Sequence, residues 1–406
     1  MTLASLAPIP TARFSRKREA ILAAATDVLN QRGVRGMTLA EVAERVGLIT
    51  TSVTYYFRRK DELAADCFLA GIQRLSALVR EARAESTPSD RIRRLLELYL
   101  GLRARIAAGE APPIPIFSDI RALAPGVHRE TAVAYGELFR RVRELFTDPG
   151  GQALSRGAAT ARTEILMAQI HWAEAWLPRY AVGDYPSVGE RMHDILARGL
   201  AQPGAVWRPM PLPLGADAPA AGREAFLLAA TRLINQRGYR GASVELISAQ
   251  LNVTKGSFYH HHSAKDDVVI ACFERTFETV RAAQAAAREL AGDQWLRLTS
   301  AAAALVDFQC SPAGPLLRTS ALAALPEAIR AAMIGQSSRL SDDFSAMIAG
   351  GVAEGSLRSV DPFIAAQMLN ATLNAAADLR FLLPGVKAEM AVELYARPVF
   401  TGLVEP

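Results

Sequence analysis

Apolar residues along this chain recur at three- and four-residue spacing rather than in alternation. Within residues 18–32, Ile21, Ala24, Ala25, Val28 and Leu29 share one face, the stripe of an amphipathic helix. Gly33 suits the left-handed position that closes such a helix. Thr38 stands where it caps a second helix, Leu39 to Val46, with Glu41 completing a capping box; Val42 and Val46 point to its core. Gly47 fits a tight turn, and residues 50–57 follow as a third short helix. Asp61 and Glu62 then occupy the first turn of a fourth helix, whose dipole favours acidic groups there. Alanine is abundant and runs of Val, Ile and Thr are scarce, so the chain reads as all-α.

The pattern returns 205 residues later. REAILAAATDVLNQRGVRGMT starts at Arg18 and REAFLLAATRLINQRGYRGAS at Arg223, and 18 of 51 aligned positions are identical through Phe68 and Phe273. They include Asn30/Asn235, Lys60/Lys265 and Cys67/Cys272. So long a period marks a duplicated domain, not a solenoid. In the second copy Ser243 caps, Leu246 and Ile247 face inward, and Asn252 stands in place of Gly47 at the turn, a residue tolerant of that conformation. Residues 204–222 are rich in Pro, Gly and Ala and read as a linker. PPIP at 112–115 and SPAGP at 311–315 break each half internally. The expected division is a flexible tail over 1–12, a head over 13–62, a helical body over 63–203, the linker, a second head over 223–267 and a second body over 268–406.

Composition narrows the class. The 406 residues, half of them hydrophobic, suffice for two domains with real cores. No apolar run is long enough to span a membrane, and the N-terminal charges follow rather than precede the weak apolar stretch, the reverse of a signal peptide. Cys67, Cys272 and Cys310 make neither a disulfide framework nor a metal cluster, and Cys67 and Cys272 read as small apolar core residues. The cytoplasm is the expected location. The net charge of +5 permits nucleic-acid binding without demanding it. Arg13, Arg16, Lys17 and Arg18, just ahead of the first helical pattern, read either as a solvated tail or as a phosphate-contacting arm.

The stretch Val253-Thr254-Lys255-Gly256-Ser257-Phe258-Tyr259-His260-His261, followed by Lys265-Asp266-Asp267, resembles the recognition-helix signature of the TetR family of bacterial regulators. Leu48-Ile49-Thr50-Thr51-Ser52-Val53-Thr54-Tyr55-Tyr56-Phe57, with Lys60-Asp61-Glu62, matches more loosely. Residues 350–366 are similar to a late helix junction of that family. The resemblance implies a three-helix DNA-binding head on a larger body that binds a small molecule and dimerises through its last two helices. Here those helices fall near 157–202 and 361–404, so the four-helix interface can form within one chain. A usual member is about half this length and works as a homodimer; this chain holds two copies.

A helix entering the major groove needs small or polar residues. Thr50, Thr51, Ser52 and Thr54 supply them in the first head, and Thr254, Lys255, Gly256 and Ser257 in the second; an ordinary polar helix surface is the alternative for each set. Tyr55, Tyr56, Tyr259 and His260 are placed to donate to phosphates, or one tyrosine of each pair packs under its head. Lys60 and Lys265 open the fourth helix, where the dipole disfavours a cation; a phosphate would explain them. Thr38 and Ser243 combine capping with a phosphate contact. His260-His261-His262 is no metal site, because successive helical side chains diverge by about 100°, and no cofactor is expected. In the bodies, Trp172 and Trp176 with His171 alongside, and Gln367, Asn370 and Asn374, are candidate ligand residues, though such stripes are more often core or interface.

These readings give a repressor bound to double-stranded operator DNA and released by an apolar or aromatic small molecule, acting as a monomeric pseudo-dimer or a homodimer. The competing class is a helical interaction or ligand-binding module whose heads no longer bind DNA. An enzyme is not expected: no nucleotide loop, metal-ligand pair or nucleophile motif is present.

Overall fold

The structure is a computed structural model that describes residues 11–148, 154–215, 222–239, 242–250, 265–325 and 327–404. Every regular element among them is helical; the only pairing of extended backbone among these residues is an isolated bridge between Ala201 and Leu357. The first copy contains α1 (Ala12–Gly36), α2 (Leu39–Arg45), α3 (Thr50–Tyr56), α4 (Lys60–Ala82), α5 (Pro88–Ala107), α6 (Pro125–Arg143), α7 (Arg156–Trp176) and α8 (Tyr185–Arg198). The second contains α9 (Gly222–Arg237), α10 (Val244–Gln250), α11 (Lys265–Arg288), α12 (Gln294–Cys310), α13 (Glu327–Glu354), α14 (Pro362–Ala375) and α15, residues 388–401 with a π-turn at 392–396. The duplication therefore carries past the heads, though not at one fixed offset: α5, α7 and α8 recur as α12, α14 and α15, and the short 3-10 turn at Phe117–Ala122 recurs at Thr319–Ala324.

Two compact units are present. One comprises Met1–Arg74 and Ala111–Tyr135, the other Leu75–Glu110 and Gly136–Pro406. The first unit holds α1–α3 around Ile21, Ala25, Val28, Val42, Val53, Leu63 and Phe68, all buried. Gly33 takes the positive φ, 66°, that its sequence suggested and breaks the helix there, with a last helical piece running on to Gly36.

The second unit holds the rest of the first body, the second head and the second body. The head core gathers Phe226, Ala230, Leu233 and Ile247 against Val268, Phe273 and Phe277 of α11. Between the bodies, α7 lies along α14. Gln169, buried, donates through Nε2 to Met368 O and Thr372 Oγ1 at 3.1 Å each, and Trp172 Nε1 donates to Gln367 Oε1 at 3.1 Å. Arg191 pairs with Asp361 at 2.9 Å and Arg358 with Asp194 at 2.6 Å.

Where α8 and α15 end, the chain crosses itself in a near two-fold manner. Leu200 N donates to Phe400 O at 2.8 Å, and Leu403 N donates to Leu196 O at 2.7 Å. Gly199 and Gly402 make the approach feasible. A Cβ on Gly199 would lie 2.1 Å from Phe400 O, and one on Gly402 would lie 2.4 Å from Ala197 O. Both also hold positive φ, which side-chain-bearing residues rarely adopt.

The expected linker is not free along its described length. Trp207 Nε1 donates to Glu393 at 2.8 Å and its ring meets Phe400 at 5.5 Å. Val206 O accepts from Trp295 Nε1 at 3.0 Å, and Met210 N donates to Ser300 Oγ at 2.8 Å. Its prolines keep it extended while its aromatic side chain docks.

Candidate nucleic-acid interface

In the first head, Thr11 caps α1, so Arg13, Arg16, Lys17 and Arg18 lie inside the helix and not in a tail before it. Arg13, Arg16 and Lys17 are exposed. Arg18 turns inward, pairing with Asp66 and covering the Phe57 ring at 5.1 Å. Residues 11–60 carry ten Lys and Arg against four Asp and Glu, a net +6 where the whole chain has +5. The cationic field is therefore concentrated on this head.

The helix-turn-helix is α2, a short turn and α3. Leu48 N donates to Ala43 O at 2.9 Å and closes the turn. Val53 is buried and orients α3, leaving Thr50, Thr51 and Tyr55 exposed and Ser52, Thr54 and Tyr56 half-buried. Thr54 Oγ1 donates to Thr51 O at 2.9 Å. Of the tyrosine pair, Tyr56 is the one that packs, with its ring 4.7 Å from Phe14. Tyr55 is 75% exposed. Val46 is half-buried, less than its spacing suggested.

Thr38 is exposed and caps α2, its Oγ1 accepting from Glu41 N at 3.2 Å. A hydroxyl that accepts can still donate, so the cap leaves its proton for a phosphate oxygen. Glu41 does not complete a capping box; its carboxylate sits 3.4 Å from Arg32. Lys60 needs no phosphate to explain it. Its ammonium donates to the carbonyls of Arg35 at 2.9 Å, Val34 at 3.4 Å and Met37 at 3.5 Å. The cation disfavoured by its own helix is held by the carbonyl end of α1, where the dipole favours it. Sequence reasoning passed over Arg35, Arg58 and Arg59, exposed cations near α3; a charge count by segment would have found them.

The second head repeats the inner frame. Ser243 Oγ accepts from Leu246 N at 3.3 Å, as Thr38 does from Glu41. Cys67 Sγ faces Leu22 O and Cys272 Sγ faces the matching Leu227 O. Burial pushes the two thiols up to about 12 and about 11, so both are core groups. Leu246 departs from expectation: it is 37% exposed while Ile247 is buried. Thr254, Lys255, Gly256, Ser257, Tyr259 and His260, with the rest of the histidine run, lie outside the described residues, as does the side chain of Lys265.

The family model for bacterial regulatory proteins of the tetR family matches residues 21–67 and again 226–272. The chain carries two tetR-family domains in tandem. It is a DNA-binding transcriptional regulator and not an enzyme. No curated protein matches the chain in sequence. Among solved structures it is similar to the transcriptional regulator PfmR from Thermus thermophilus, at 22% identity and a TM-score of 0.36, over 44% of this chain and 98% of that one. It is also similar to apo AibR, at 19% identity and 0.35, over 42% and 94%. AibR in complex with isovaleryl coenzyme A and operator DNA gives 21% and 0.36, over 42% and 95%.

In the bodies, most residues singled out as ligand candidates have structural partners. Trp172 and Gln367 bond to each other across the α7–α14 seam. Trp176 is buried edge-on to Phe363 at 6.1 Å. Asn370 donates to Ser341 Oγ at 2.6 Å, and Asn374 Oδ1 accepts from Thr319 N at 2.9 Å. The packing alternative accounts for these five. His171 differs. It lies two residues beyond Gln169, about 200° round the helix, on the side away from the seam. It is exposed. A separate cleft of about 340 Å3 is lined by Val79, Arg80, Arg83, Arg140, Arg141 and Glu144. Among the described residues no acidic, histidine or cysteine group could hold a metal, and no helix is long and apolar enough to cross a membrane.

Proposed function

We propose that this regulator is a repressor working as a pseudo-dimer within one chain, on an operator with two unlike half-sites, released by a small molecule bound in its bodies. The crossing at Gly199 and Gly402 carries this reading. A reciprocal contact between equivalent surfaces is the mark of an isologous dimer interface, and here both surfaces belong to one chain. The heads differ where bases are read: Thr50-Thr51 in the first faces Lys255-Gly256 in the second. Identical heads call for a palindrome and unlike heads for unlike half-sites.

Thr50, Thr51 and Ser52 form the base-reading surface of the first head, with Tyr55 and Thr38 on the flanking phosphates; Thr254, Lys255, Gly256 and Ser257 take the same part in the second. The effector suited to such bodies is an apolar or aromatic molecule. The test is gel retention of the DNA upstream of the coding region. Retention is expected at low salt and falls steeply as salt rises, because several phosphates are neutralised. Gly199→Ala, which drives a methyl group into Phe400 O, reduces retention by tenfold or more, on the order of a 1.4 kcal/mol loss. No retention at low salt overturns the reading.

A further inference from the structure

We infer that residues 316–319 form a junction that fixes the second head to the seam between the bodies, with Asn235, Thr276, Gln309 and Asn374 as its positioning residues. Four consecutive backbone amides in this loop are each accepted by a side chain from a different helix. Leu316 N donates to Gln309 Oε1 of α12 at 2.8 Å, and Leu317 N to Thr276 Oγ1 of α11 at 2.9 Å. Arg318 N donates to Asn235 Oδ1 of α9 at 3.1 Å, and Thr319 N to Asn374 Oδ1 of α14 at 2.9 Å.

The carbonyls are matched as fully. Asn235 Nδ2 donates to Leu316 O at 2.9 Å, Arg232 to Pro312 O and Gly314 O at 3.1 and 2.9 Å, and Arg275 to Ala313 O and Pro315 O. Gln309 also donates to Leu373 O of α14 at 2.8 Å, and Arg318 pairs with Asp378 just beyond that helix. A buried loop without regular structure must find partners for every polar group. This one finds them on the head helix and on the seam helix at once. A shift of α14 that keeps those bonds must move the loop, and the loop holds α9 by both ends of the Asn235 amide.

The first copy lacks most of this device. Its Asn30 makes the same two-ended clamp, to Ile114 O at 2.8 Å and from Ile116 N at 2.9 Å. At the position of Thr276, however, it carries Gly71, with no side chain to accept, and at that of Gln309 it carries Arg103, whose guanidinium pairs with Glu174 at 3.3 Å. At the position of Asn374 it carries Ala168, which has no hydrogen-bonding side chain. The second head lies in one compact unit with the whole of its own body, while the unit of the first head holds only part of the first body.

The inference rests on the reading of the heads as DNA-binding only for its functional consequence, so its test begins without DNA. Amide hydrogen exchange is followed across the full chain in the wild type and in Asn374→Ala. The variant is expected to speed exchange about tenfold throughout α9 and α10, the loss of one buried hydrogen bond being felt by the whole coupled segment, while α1–α3 keep their protection. Asn374→Asp, which retains the accepting oxygen, restores the wild-type pattern. Thr276→Val, nearly isosteric, gives a smaller change in the same direction should Asn374→Ala fail to fold. Faster exchange at Thr319 alone overturns the inference, as does equal loosening of both heads. If the wild type then retains DNA, footprints of Asn374→Ala lose protection over one half-site and keep the other; loss of both contradicts the junction. Absence of DNA binding by the wild type sinks the functional reading while the exchange result still decides the junction.

Discussion

The two head-to-body loops solve one packing problem with different chemistry. In the first, Pro115 has no amide proton to satisfy, and Gly71 sits against its ring so closely that a Cβ would lie 2.6 Å from Pro115 Cδ. In the second, the equivalent of Pro115 is Leu317, whose amide needs an acceptor, and the equivalent of Gly71 is Thr276, which supplies one at 2.9 Å. The residues on the two sides of each contact differ as a pair: ring with no side chain, amide with hydroxyl. Duplication copied the fold, and the interior was then tuned separately in each copy. Loop and helix must change together, because a lone amide or a lone clash in that space is costly.

The largest expected effect is at Gln309. Gln309→Ala strands Leu316 N and Leu373 O in a buried site and opens a cavity, costing about 3 kcal/mol of stability. Denaturant unfolding should show that loss. Next comes Gly71→Ala, which crowds Pro115 and costs about 2 kcal/mol; the thermal midpoint reads it, and Pro115→Ala in the same chain should recover much of the loss. An additive pair would show that Gly71 and Pro115 are independent.

The smallest effect is one of pH. His193 lies 3.1 Å from both the hydroxyl and the carbonyl of Ser89, and burial lowers its pKa. An unfolded imidazole takes up its proton near 6.5 and the folded one only at lower pH. The unfolded chain thus binds more protons below that point, and stability falls as pH drops. The melting temperature should decline from pH 7 toward pH 5, and less steeply in His193→Gln.

Much of this architecture is legible in the sequence because it rests on periodicity and caps. Thr38 and Ser243, the paired cysteines and the all-α class follow from local rules. What the sequence does not display is which partner a polar side chain finds. Lys60 looks misplaced at the start of its helix until α1 brings three carbonyls to it. Trp172, Gln367 and Asn374 have the composition of a binding stripe, and only the α7–α14 packing and the 316–319 loop show their bonds to be internal. Asn30 and Asn235 stand out as identities in the repeat, but their shared clamp depends on loops about eighty residues away. The extended stretch after Pro203 has a linker's composition, and its docking turns on a single tryptophan.

The central claim is that one chain closes on itself and reads two unlike half-sites. Native mass measurement of the protein bound to its upstream operator tests it most directly. One chain per duplex is predicted, with binding weakened when either half-site is replaced by a copy of the other. Two chains per duplex, or equal binding to a symmetric palindrome, would contradict it.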